Sequence, residues 1–209
     1  YASSTTVQIA HGNRRRIGAA GPPHAAARDN DVDVATLAKT AVSAKLRNAG
    51  QVCVAPQRFF IHENIYEQFV LAAADAIRNV KTGYGWESET RMGPLINKRQ
   101  QQQVLQIIED AKAVGAETIA GTVLQSKGWF VPPTILTKVS SASAEVNKEI
   151  FGPVMPLIPF AHKEEVIEWA NNTPYGLAAY IWTNNVQKAF YYSEALEFGM
   201  VGVNEWAPH

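Results

Sequence analysis

Between Asp31 and Gly50 the positions Val34, Leu37, Ala38, Ala41, Val42, Lys45 and Leu46 recur at steps of three and four. That is the period of a helix with one buried face. Asp31 and Asp33 stand where a side-chain oxygen caps a first turn, and Gly50 ends the pattern. Arg58-Phe59-Phe60-Ile61-His62 predicts a buried strand. Ile65, Phe69, Ala72, Ala73, Ala76 and Ile77 mark the inner face of a second helix over 65–80. Gly83, Gly85, Gly93 and Pro94 then punctuate a long loop.

A third helix is predicted over 97–114, closed by Gly115 at its C-cap. Short extended segments follow at 117–120, 131–136 and 154–160, then a helix over 163–172 that stops before Thr173-Pro174. An apolar strand at 177–182, a helix at 185–195 and a strand at 200–204 complete the series. Strands alternating with helices of ten or more residues imply an α/β sheet, at least partly parallel, with helices on its faces. No internal repeat is visible, and no Gly-x-Gly-x-x-Gly turn follows any strand. Residues 14–28, rich in Arg, Ala, Gly and Pro, show neither period and read as a loop or disordered arm.

The 209 residues, 46% hydrophobic, are enough for one large domain with a real core. Nineteen basic residues balance nineteen acidic ones, and Arg14-Arg15-Arg16 is the one dense basic run. No extended field recruits nucleic acid or an anionic membrane, so a small-molecule partner is expected. No apolar stretch has the length of a membrane span. A single cysteine excludes an internal disulfide and suits a reducing, cytoplasmic setting. The start, Tyr1-Ala2-Ser3-Ser4, lacks an initiator Met and any signal-peptide order, so the chain reads as a soluble piece beginning in mid-protein. His11, His24, His62, His162 and His209 have no metal-ligand spacing, and no metal is expected.

The lone thiol, Cys53, stands after a Gly-Gln pair on the loop between the first helix and the first predicted strand, a candidate nucleophile. A buried, inert cysteine is the plainer alternative. Three further motifs stand out: Glu149-Ile150-Phe151-Gly152-Pro153-Val154, Asn171-Asn172-Thr173-Pro174-Tyr175-Gly176-Leu177 and Gly202-Val203-Asn204. Together with Asn48-Ala49-Gly50-Gln51-Val52-Cys53 they resemble the aldehyde dehydrogenase superfamily from about Asn30 to Pro208. Within it the likeness is greatest to succinate-semialdehyde dehydrogenases, carried by Lys45-Leu46-Arg47, by 176–180 and by 195–204.

The resemblance implies a three-layer catalytic domain, a mostly parallel sheet flanked by helices, over 31–209, truncated at its C-terminus and preceded by an irregular arm at 1–30. The N-terminal cofactor-binding domain is expected to be absent from this chain. It further implies that Cys53 attacks an aldehyde, that the thiohemiacetal passes hydride to NAD or NADP, and that water releases the acid from the remaining thioester. Arg47 would grip the distal carboxylate of succinate semialdehyde, as a planar fork suits. Glu149 would meet the nicotinamide ribose and Phe151 the nicotinamide end. Asn204 would lie near the substrate pocket, or else hold a strand-end turn. The backbone N–H of Cys53 would be one oxyanion donor. Cys53 follows a helix C-terminus, so loop amides, a cation or the cofactor must favour its anion.

The family's Glu-Leu-Gly-Gly stretch, whose Glu activates the deacylating water, corresponds here to Ala19-Ala20-Gly21-Pro22. A methyl group accepts no proton. Ala55 stands where some succinate-semialdehyde dehydrogenases place a second, redox-active cysteine. The family oligomerises through a C-terminal segment expected to be missing here. The isolated chain is then expected either to be inactive, keeping only the fold, or to retain a thiol that activated esters can acylate. The basic run at 14–28 reads as a stretch out of frame, or one sequenced or assembled wrongly. Resequencing the locus decides it: an undisturbed frame with these same residues overturns that reading.

Overall fold

The computed structural model describes residues 6–10, 33–123, 127–143 and 147–206. The arm expected at 1–30 therefore falls largely outside the described residues. Within them the chain runs β1 (Thr6–Ala10), α1 (Val34–Leu46), a short 3-10 turn (Arg47–Gly50), β2 (Pro56–His62), α2 (Glu63–Arg78) and α3 (Lys98–Ala113). It continues through β3 (Glu117–Ala120), β4 (Thr134–Thr137), β5 (Val154–Phe160), α4 (Lys163–Asn171), β6 (Ala178–Trp182), α5 (Val186–Ala195) and β7 (Met200–Val203). The caps follow the local chemistry. Asp33 accepts from the Thr36 hydroxyl and from the N–H groups of Thr36 and Ala35 at the start of α1, and these bonds, the hydroxyl's foremost, hold its carboxyl below the usual range. Asn97 and Asn185 do the same for α3 and α5.

The seven strands form one sheet in the order β3-β4-β5-β2-β1-β6-β7. The sheet is mixed rather than mostly parallel. β4–β5, β5–β2 and β6–β7 pair parallel, whereas β3–β4, β1–β2 and β1–β6 pair antiparallel. Two of the three antiparallel pairings come from β1, which the hydrophobic pattern did not reveal, and the third from the edge strand β3. β1 inserts between β2 and β6, so that those two strands run in the same direction without touching.

All seven residues of β2 are buried, which requires cover on both faces, since successive side chains point to opposite sides. Gln57 reaches Lys45 of α1 on one side. Arg58 and Phe60 face α4 on the other: Arg58 donates to Trp169 O at 2.8 Å and Ala170 O at 2.9 Å, and Phe60 lies 6.3 Å from the Trp169 ring. Helix, sheet, helix is the expected layering. Arg58 also donates to Asn147 Oδ1 at 3.2 Å, which fixes the chain just before Glu149. Burial draws its guanidinium down to about 10, still charged at neutral pH.

Arg58→Met keeps the volume but leaves those carbonyls without their donor. A loss of about 2–4 kcal/mol is expected, read as a lower urea midpoint with an unchanged slope.

Candidate active site

Two loops meet at one end of the sheet. Residues 47–55 lead into β2 and residues 149–153 lead into β5, and because β2 and β5 are parallel neighbours both loops emerge on the same edge. Their backbones touch. A Cβ on Gly50 would overlap the carbonyl of Gly152, and a Cβ on Gly152 would strike Val104 of α3. Glycine at Gly50 is demanded twice, by that contact and by its φ of +76°.

The loop before Cys53 is wound left-handed. Asn48 has φ +50° and Ala49 φ +55°, a region that costs a residue with Cβ about 1–2 kcal/mol. Side-chain amides hold it there. Asn48 Nδ2 donates to Gln51 O at 3.2 Å, Gln51 Nε2 returns to Asn48 O at 3.0 Å, and Gln51 Oε1 accepts from Ile96 N at 2.9 Å. Beyond the thiol, Tyr180 Oη donates to Val54 O at 2.7 Å and Gln57 Nε2 to Ala55 O at 3.2 Å. Cys53 itself is exposed. Its backbone N–H has no acceptor among the described residues, so it is available to an incoming oxygen.

The facing loop is fixed in the same way. Phe151 is left-handed at φ +47°, and Gln100 of α3 clamps it by donating to Ile150 O at 3.2 Å and Phe151 O at 2.9 Å. Glu149 and Phe151 remain half-buried. The Glu149 carboxylate acts on the fully buried Lys45, favouring its charge, while burial pulls the amine down to about 7. Arg47 is exposed and lines a groove of about 1120 Å³ walled mainly by α1 and α2, to which Val52, Val54, Tyr180 and Trp206 also contribute but Cys53, Glu149 and Phe151 do not.

Arg47, Cys53, Glu149 and Phe151 thus share one edge. Asn204 does not join them. Strand register puts it level with Trp182, Thr6 and Ile61, the far end of β2 from Pro56. There its Oδ1 accepts from Thr183 N at 2.9 Å and its Nδ2 donates to Thr183 O at 2.8 Å. It holds a strand-end turn, the second of the two roles expected for it. Lys45, Gln51, Gln57 and Gln100 carry the site from beneath and were not singled out in the sequence. Lys45 left a trace there, a cation inside an apolar stripe.

The described residues contain no cluster of His, Cys, Asp and Glu able to hold a metal ion. For a dinucleotide they fit one end: a half-buried carboxylate can accept from ribose hydroxyls, and a clamped aromatic ring offers a face to a flat heterocycle.

Comparison with known proteins shows the family. The model of the aldehyde dehydrogenase family matches residues 21–209. The chain belongs to the aldehyde dehydrogenase family. Mitochondrial succinate-semialdehyde dehydrogenase of Oryza sativa subsp. japonica is 44% identical over 178 residues, covering 85% of this chain and 33% of that protein. A succinate-semialdehyde dehydrogenase named for NADP(+) from Schizosaccharomyces pombe is 39% identical over 162 residues, covering 77% of this chain and 33% of its own length. The NAD+ complex structure of an aldehyde dehydrogenase from Bacillus cereus superposes with a TM-score of 0.82 at 42% identity, over 86% of this chain and 37% of that one. The chain thus spans about a third of the length of the curated relatives it matches.

Gly50→Ala is expected to cost roughly 3 kcal/mol or more, from the left-handed backbone plus the collision with Gly152. Gly115→Ala, at φ +100° with open space around it, loses only the conformational part, about 1 kcal/mol. Urea unfolding of the two variants side by side checks the difference.

Proposed function

We propose that this chain is the thiol-bearing part of an NAD(P)-dependent aldehyde dehydrogenase that takes an aldehyde with an anionic tail, succinate semialdehyde being the substrate the relatives' names suggest. The observation that carries this is the exposed Cys53 thiol on a rigid loop packed against the loop of Glu149 and Phe151. Its N–H stands free of other acceptors, where the oxygen of an attacked carbonyl acquires charge.

The Cys53 sulfur adds to the aldehyde carbon, and the backbone N–H of Cys53 donates to the new oxyanion. Arg47, at the mouth of the groove, pairs with the distal carboxylate and fixes the direction of the tail. Glu149 accepts from ribose hydroxyls and Phe151 backs the nicotinamide end. NAD(P)+, when bound, supplies the hydride acceptor. The acyl group is then held on Cys53 as a thioester until water releases the acid. Relatives and neighbouring structures are named for NADP(+) and for NAD+ alike, and the residues described here meet only the part that the two cofactors share. The lone thiol fits the reducing cytoplasmic compartment expected from the sequence, and no helix among the described residues is long and apolar enough to cross a membrane.

Two activated esters test the reading without cofactor, 4-nitrophenyl acetate and mono-4-nitrophenyl succinate, with the acyl adduct located by mass spectrometry. Acylation is expected on Cys53 and to vanish in Cys53→Ser. Faster acylation by the anionic ester is expected to fall about tenfold or more in Arg47→Ala, the worth of a hydrogen bond between charged groups, while the neutral ester is unaffected. With succinate semialdehyde and either cofactor, the chain alone is expected to show no turnover. Esters that leave Cys53 unmodified overturn the proposal.

A further inference from the structure

Lys45 has no part in the chemistry above, yet it sits directly beneath it. It lies in the last turn of α1, on the apolar stripe, and is fully buried. An amine there costs stability relative to a methionine of similar shape. Its Nζ donates to Gln57 Oε1 at 3.1 Å, and Gln57, also buried, donates onward to Ala55 O at 3.2 Å, two residues past the thiol. From the other loop, the carboxylate of Glu149 acts on the same amine. The bonds through Gln57 tie the amine to the exit of the Cys53 loop, which packs at Gly50 against the Glu149 loop at Gly152.

We propose that Lys45 is a positioning residue of this site, a buried amine that couples the exit of the Cys53 loop, through Gln57, to the Glu149 carboxylate. Its bearing on catalysis rests on the aldehyde dehydrogenase reading given above; the coupling itself does not.

The elements packed against α1 are α2, the 3-10 turn with its exposed Arg47, β2 and β5. β5 carries no titratable side chain, and the charged residues of α2 are all exposed. On β2, Arg58 is committed to α4 and Asn147, and His62 Nδ1 accepts from Asn64 N at 3.3 Å. Glu149 is left as the charge that acts on Lys45. Burial brings the amine to about 7 from the ordinary 10.5. Below that value it is charged, and its bond to Gln57 and its attraction to Glu149 are both at full strength. Above it both weaken.

The sign of the stability effect follows. Between about 7 and 10.5 the unfolded chain holds a proton that the folded chain lacks, so this group makes stability rise with pH across that window and leaves it level below.

The test uses the 209-residue chain with carbon-13-labelled lysine, as wild type, Lys45→Met, Lys45→Arg and Glu149→Gln. One lysine side-chain resonance, absent from Lys45→Met, is expected to titrate near pH 7. Its midpoint moves down by about one unit in Glu149→Gln, because an attraction that favours the charge is gone. In parallel, the rate at which iodoacetamide alkylates Cys53 is followed against pH. Wild type is expected to show an extra inflection at the Lys45 midpoint, Lys45→Met none, and Lys45→Arg the low-pH branch throughout. A Lys45 midpoint unmoved by Glu149→Gln overturns the coupling, as does one alkylation profile common to wild type and Lys45→Met. Should Lys45→Met not fold, the Glu149→Gln titration still decides. Iodoacetamide modifies any exposed thiol, so a chain that resists ester acylation but keeps this inflection loses the proposed function and keeps the coupling.

Discussion

The contact of backbone on backbone at Gly50 and Gly152 is the constraint on which the rest of this site depends. Parallel pairing of β2 with β5 brings two loops out side by side, and the absence of side chains at the point of contact lets them close. The closure forces Asn48, Ala49 and Phe151 into left-handed backbone, a strain of about 1–2 kcal/mol apiece. Five amide hydrogen bonds from Asn48, Gln51 and Gln100 fall on the same residues and their neighbours, each worth about 1 kcal/mol net. The two sums are of similar size. The loops are therefore held by near balance, and the added packing of Gly152 on Val104 and of the loop beneath Tyr180 decides in favour of the closed form.

Much of this was legible in the sequence. The stripe on α1 names the same seven residues that the structure buries, because a 3.6-residue period admits only one inward face. β3 and β5 begin and end where the pattern placed them. Strand direction was not legible. Nothing in an apolar run tells which neighbour it will meet, and β1, five residues long, is too short for alternation to stand out. Its insertion adds two antiparallel pairings to that of β3 with β4 and aligns β6 with β2.

That alignment also explains what became of Asn204. Read along the chain, it closes a motif that ends a strand. Read in the sheet, β7 runs with β6 and β6 with β2, so the end of β7 lies level with the end of β2 and away from its start, before which the thiol stands. Arg47 and Cys53 were easier, since six residues of chain cannot separate them far. Glu149 and Phe151 were placed through a motif, and their proximity is a product of strand pairing that no local pattern contains. The supporting amides, Gln51, Gln57 and Gln100, carry no periodic signal at all, since a glutamine reads the same whether it faces water or clamps a loop.

A cation in an apolar stripe is different, because burial of charge opposes folding unless something nearby requires it. Cys53 follows the C-terminal end of α1, where unpaired carbonyls concentrate partial negative charge and oppose an anion. Two cations, Lys45 and Arg47, stand at that same end. Arg47 is exposed, and water and salt screen its field. Lys45 is surrounded by the core, where screening is weak and a unit charge acts over the width of the loop. In the proposed coupling the buried amine acts more strongly on the local field, burial lowers the pH at which it loses its charge, and Glu149 opposes that loss. The proposed roles thus fall on neighbouring residues at one helix end: the exposed one is placed to meet a ligand, and the buried one to act on the field of the thiol loop.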